Sequence, residues 1–170
     1  MAKSGENTVK RFLESKNLRV EKIPEIDIKT ADFEVYNNNK LLCFLEEKTI
    51  DFTLPVWNNE MAFFNALAKH IYESIKQFKS INPGKKVPNV LSLTNLVPAR
   101  SINDLFITLT GQIITSKGKL RSIDNMKRVE KDLALIDLYL WFDNDQYSGY
   151  ICDEEQSPMG EKVARVMGLN

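Results

Sequence analysis

Between Ala31 and Ile50 the chain reads ADFEVYNNNKLLCFLEEKTI, two runs of strand-favouring residues separated by three asparagines and a lysine. Asparagine tolerates the positive φ that a tight reversal demands, so this stretch predicts two antiparallel strands, DFEVY and LLCFLEEKTI, joined as a hairpin. A hairpin also fixes which residues meet. A three-residue loop over Asn38 to Lys40 pairs residues whose numbers sum to 78, which sets Asp32 across from Glu46. Alternation then sends Glu46 and Lys48 to one face of the strand and Cys43, Leu45 and Glu47 to the other. The run Glu46-Glu47-Lys48 sits inside a strand that is otherwise core-like. Uncompensated burial of such charges costs several kcal/mol, so the run marks either a strand end open to water or a place where the charges work.

The segments around the hairpin say what it packs against. MAFFNALAKHIYESIKQFKSI follows it, and Phe64, Leu67, Ala68, Ile71, Ile75 and Phe78 form one apolar stripe at helical spacing, the kind that docks on a sheet. His70 and Gln77 share one flank of that helix. Before the hairpin, Val9, Phe12 and Leu13 predict an amphipathic helix from Glu6 to about Ser15 with Ser4 as its N-cap, then an extended segment LRVEKIPE ended by Pro24. Beyond the long helix, INPGKK is a break, NVLSLTNL a strand, Asn103 to Thr110 a helix, and DLALIDLYLWFDNDQYSGYICDE two strands about the turn DNDQ. SPMGEKVARVMGLN closes the chain as a helix with Ser157 as cap and Pro158 in its first turn. The expected class is α/β, a mixed sheet core flanked by helices on both sides, in one domain spanning residues 1–170.

Composition bounds the function classes. At 43% hydrophobic and 27% charged residues the chain is of ordinary globular make-up, without repeats. Its net charge of zero argues against holding nucleic acid by bulk electrostatics. The charge is nevertheless segregated. Lys117, Lys119, Arg121, Lys127, Arg128 and Lys131 are opposed only by Asp124 and Glu130, whereas Asp143, Asp145, Asp153, Glu154, Glu155 and Glu161 have no cation among them. Cys43 and Cys152 both lie in apolar contexts and are expected as free thiols. No apolar run is long enough to span a membrane, and the N-terminus lacks a signal-peptide core, so no membrane partner and a cytoplasmic location are expected.

Two carboxylates facing each other repel unless a cation lies between them. Asp32 and Glu46 suit a hard divalent ion such as Mg²⁺ or Mn²⁺, which takes one or two carboxylates together with water and phosphate oxygens. Lys48, two residues on, reaches the same face as a cation able to orient or deprotonate a water and to steady charge developing on a phosphorus centre. The competing reading is an ion-pair ladder at a hairpin's edge. P-loop, nucleophile-elbow and dinucleotide glycine patterns are absent, and the lone His70 without cysteine partners supports no zinc site.

Asp32, then thirteen residues, then Glu46-Glu47-Lys48, resembles the motif of the PD-(D/E)XK nuclease superfamily, which includes many restriction endonucleases. The resemblance covers roughly residues 5–95 and implies a restriction endonuclease-like fold and Mg²⁺-dependent phosphodiester hydrolysis by a deoxyribonuclease-like enzyme. It makes Glu6, on the helix before the sheet, a metal-associated acid beside Asp32 and Glu46, and Gln77, on the helix after the lysine strand, a polar residue at the catalytic site. The partner it implies is nucleic acid, DNA before RNA because most of the family acts on DNA, and a homodimer is allowed for. Lys127 and Arg128, in the densest basic segment, are the expected phosphate contacts. Two features depart from the motif: Ala31 stands where proline is usual, and Glu47 stands where a buried apolar residue is expected. The alternative function is a catalytically silent nuclease-fold module that binds nucleic acid or protein.

Overall fold

The computed structural model describes residues 2–24, 29–51, 60–114, 117–123, 130–153, 155 and 157–169. In chain order these build α1 (Ala2–Ser15), β1 (Arg19–Lys22), β2 (Phe33–Asn37), β3 (Lys40–Ile50), α2 (Glu60–Ile81), β4 (Asn89–Asn95), α3 (Ile102–Thr110), β5 (Gln112–Ile114), β6 (Leu120–Ser122), a 3-10 turn (Glu130–Leu135), β7 (Leu138–Asp143), β8 (Gln146–Ile151) and α4 (Pro158–Val166). Six strands make one mixed sheet in the order β1-β2-β3-β4-β7-β8, and β5 pairs with β6 apart from it. The neighbours β3, β4 and β7 run parallel, while β1, β2 and β8 add antiparallel edges. All seven residues of β4 are buried, as a central strand covered on both faces requires.

The hairpin forms, with a tighter turn than expected. Two residues, Asn38 and Asn39, make the reversal at φ 48° and 62°, in place of a three-residue loop. Asn37 pairs with Lys40 and Tyr36 with Leu41, and the register then shifts so that Val35 pairs with Cys43 and Phe33 with Leu45. A bulge thus supplies the residue that the shorter turn omits, and the index sum of 78 returns before Asp32 is reached.

Strand alternation sorts the core into two halves. Phe44, Ile50, Leu91, Leu93, Tyr139 and Trp141 face α2 and α3, meeting Phe64, Leu67, Ile71, Ile75 and Phe78 of the predicted stripe. Cys43, Leu45, Val90, Leu138, Leu140 and Phe142 face α1 and α4, meeting Val9, Leu13, Val163 and Ala164. Neither Cys43 nor Cys152 forms a disulfide. Among the described residues no helix is long and apolar enough to cross a membrane.

Two expected caps are corrected. Ser4 lies within α1, which starts at Ala2, so it is not an N-cap. Ser157 does precede α4, with Pro158 in the first turn, but its hydroxyl makes no capping bond; it donates to the buried carboxylate of Asp137. The buried acid needs donors, and the hydroxyl is turned toward it.

Candidate active site at the fork of the hairpin

The two hairpin strands part at Asp32. Strand β2 begins at Phe33, opposite Leu45, whereas β3 continues to Ile50 paired with β4. The Glu47 N–H on the edge that β2 has left is taken by a side chain: Asp32 Oδ2 accepts it at 2.8 Å. A carboxylate held by a backbone N–H is fixed in position, and Asp32 therefore stands where the two faces of the sheet meet.

On the α2 side lie Glu46, Lys48 and Gln77. Glu46 is 1% exposed, and its Oε1 meets Lys48 Nζ at 2.5 Å, two residues along the same face of the strand. Lys48 is 19% exposed, so the pair runs from the core to the surface. Burial, and then the charge of Asp32, push the Glu46 carboxyl up to about 7 in spite of Lys48 and the nearby Gln77 amide. Its Oε2 is buried with no hydrogen-bond partner. Gln77 is buried too, and its Nε2 donates to the Thr30 carbonyl at 3.0 Å, tying α2 to the segment that leads into Asp32. His70, two turns earlier on the same flank, has a buried Nδ1 without a partner; burial, then the charge of Lys48, lower its pKa.

On the α1 side lies Glu47, whose burial answers the departure from the motif. Thr49 Oγ1 donates to its Oε1 at 3.1 Å, the Thr94 hydroxyl is close, and burial pushes the carboxyl up to about 7. The α1 backbone passes directly over it. A Cβ on Gly5 would lie 2.1 Å from Glu47 Oε1, so a glycine at this position lets the helix close on the acid. Glu6, one residue on, reaches Asp32 through Lys22, whose Nζ is 2.6 Å from Glu6 Oε2 and 3.3 Å from Asp32 Oδ1. Burial opposes the Lys22 charge, but the two acids outweigh it and raise its pKa.

The fold therefore brings Asp32, Glu46, Lys48 and Gln77 to one locality. Glu6 joins Asp32 by way of a lysine and is not gathered with Glu46 into one acid cluster; among the described residues no group of three or more His, Cys, Asp or Glu is arranged to hold a metal ion. Lys127 and Arg128 lie outside the described residues. Sequence reasoning passed over Lys22 and the role of Gly5. Lys22 carries no local signal in the sequence; its place opposite Phe33, the neighbour of Asp32, exists only once β1 pairs with β2. Comparison with protein-family models, with curated proteins and with solved structures finds no match to this chain.

Proposed function

We propose that the chain is a metal-dependent nuclease with a restriction endonuclease-like core, hydrolysing phosphodiester bonds in DNA, with Asp32 and Glu46 holding Mg²⁺ or Mn²⁺ and Lys48 assisting the attacking water. The observation that carries the reading is Glu46 with Lys48: a buried carboxylate with one oxygen on a half-buried ammonium and the other without a well-formed hydrogen bond, near the Gln77 amide and beside the charge of Asp32. Perturbed ionisable groups of this kind concentrate where chemistry is done. The order of helix, three antiparallel strands, helix and parallel strand over the first 95 residues adds support, since the resemblance calls for a helix on each side of the motif strands.

The donor set suits a hard divalent cation. Its oxygens are all carboxylate, and the orphaned Glu46 Oε2 lacks the partner that such an ion supplies. When bound, the ion lowers the pKa of a coordinated water and offsets phosphate charge. The chain's own residues do the rest. The Glu47 N–H orients Asp32, Gln77 anchors the approach to it, and Lys48 keeps a proton donor or acceptor within reach of the same face. A second reading, a catalytically silent module, is favoured by one observation: both Asp32 oxygens already have donors.

Nicking of supercoiled plasmid by the purified protein tests the two. Cleavage that needs Mg²⁺ or Mn²⁺ and is lost in Asp32→Asn and Lys48→Ala, both folded by circular dichroism, supports the nuclease. DNA binding with no cleavage under any divalent ion supports the silent module.

A further inference from the structure

We propose that Lys22 is a built-in counter-cation of the Glu6 and Asp32 pair, and that a divalent metal enters the site by displacing its ammonium group. This rests on the nuclease reading above, since it concerns the regulation of that same site. Asp32 Oδ2 is committed to the Glu47 N–H, which leaves Oδ1 as the oxygen a metal can take. Oδ1 is the oxygen that Lys22 holds, and Lys22 holds Glu6 more closely still.

Lys22 is built to leave where Lys48 is built to stay. Its side chain is 37% exposed, so the ammonium can swing to water, giving up its two carboxylates and the cation–π contact of its Nζ with the Phe33 ring, 5.0 Å from the centroid. Lys48 is half as exposed and is held by the deeply buried Glu46 on the other face. Charge favours the exchange. A divalent ion on Asp32 Oδ1 brings two positive charges to a place where Lys22 brings one. With neither cation the acids would repel each other. Lys22 thus keeps the pair assembled and sets a threshold. The apparent metal affinity is reduced by the fraction of molecules in which the ammonium is still in place.

The test uses the full chain without nucleic acid. Mn²⁺ binding is read from the electron paramagnetic resonance signal of the free ion for the wild type, Lys22→Met and, as a control for losing a charge elsewhere, Lys10→Met. In parallel, acetylation of each lysine in the wild type is read by mass spectrometry with and without saturating Mg²⁺. Lys22→Met should bind Mn²⁺ roughly tenfold or more tightly while Lys10→Met matches the wild type, and Mg²⁺ should raise acetylation of Lys22 but not of Lys48. Equal Mn²⁺ affinity in wild type and Lys22→Met, or Lys22 acetylation unchanged at saturation, overturns the displacement and leaves the metal site standing. No Mn²⁺ binding by any of the proteins overturns the metal site and the displacement together. The acetylation measurement needs no substitution, so a Lys22→Met variant that failed to fold would not protect the proposal.

Discussion

Replacing Glu46 by glutamine should stabilise the protein above neutral pH and do nothing near pH 4.5. The carboxyl is pushed from its ordinary 4.5 up to about 7, first by burial and then by Asp32. Between those values the folded state binds more protons than the unfolded state, so stability falls as pH rises through the window. At about 1.4 kcal/mol per pH unit, the gap amounts to about 3 kcal/mol above pH 7. Glutamine keeps the shape and carries no charge to desolvate. The attraction of Lys48 for the ionised carboxylate is already contained in that shift, so losing it calls for no further deduction. The gain at pH 8 is then about 3 kcal/mol. Urea denaturation at pH 8 should move the midpoint upward by about 1.5 M, taking a slope of about 2 kcal/mol per molar for a chain of this size. The two midpoints should converge at pH 4.5. Glu47, also raised to about 7, adds a decline of the same sign, so the variant's own pH dependence should be reduced and not abolished. A Glu46→Gln variant no more stable than the wild type at pH 8 would refute the view that ionised Glu46 is held at a cost in stability. Stability given up for an ionised group is characteristic of functional sites.

Other perturbations read other parts of the molecule. Gly5→Ala should lift α1 off the sheet and lower the melting temperature, and combining it with Glu47→Ala should restore part of the loss, because the clash is with the Glu47 carboxylate and also with Thr49 Oγ1, 2.5 Å from the added Cβ. Asp137→Ala should cost about 3 to 5 kcal/mol, or roughly 10 °C in melting temperature by calorimetry, since it strips the partner from Lys85, from the Asn89 N–H and from Ser157 at a fully buried position. If the basic segment follows a DNA backbone, Lys127→Ala with Arg128→Ala should reduce the slope of log affinity against log salt by about 2, measured by fluorescence anisotropy; an unchanged slope removes both residues from the path.

How much could be read beforehand follows from how local each feature is. The hairpin and α2 were legible because alternation and the apolar stripe are properties of consecutive residues, and the expected register holds from Val35 to Phe33 in spite of a wrong loop length because a bulge compensated for it. Ser157 was placed correctly at the head of α4, yet its hydroxyl serves Asp137, twenty residues back in the chain and across the fold. Glu47 looked anomalous because its tolerance depends on Gly5, which reaches it only when α1 docks. Lys22 escaped notice because its two acids come from a helix and from the far side of a loop, and only the assembled sheet puts them on one ammonium.

The assembled site also divides what the sequence presents as one cluster. Glu46, Lys48 and Gln77 belong to the α2 face, and Glu47, Gly5, Glu6 and Lys22 to the α1 face, while Asp32 at the fork is bonded to the second and acts electrostatically on both. This arrangement makes a prediction that a simple edge ladder does not. The Asp32 charge helps to raise both Glu46 and Glu47, so Asp32→Asn should lower both carboxyl pKa values from about 7 toward 4.5. The Glu6 charge acts together with that of Asp32 at Glu47, so Glu6→Gln should lower the Glu47 value. Carboxyl-carbon chemical shifts followed through a pH titration resolve the two glutamates separately. Should Asp32→Asn move only one of them, Asp32 is not the link between the faces, and the two halves of the site titrate independently.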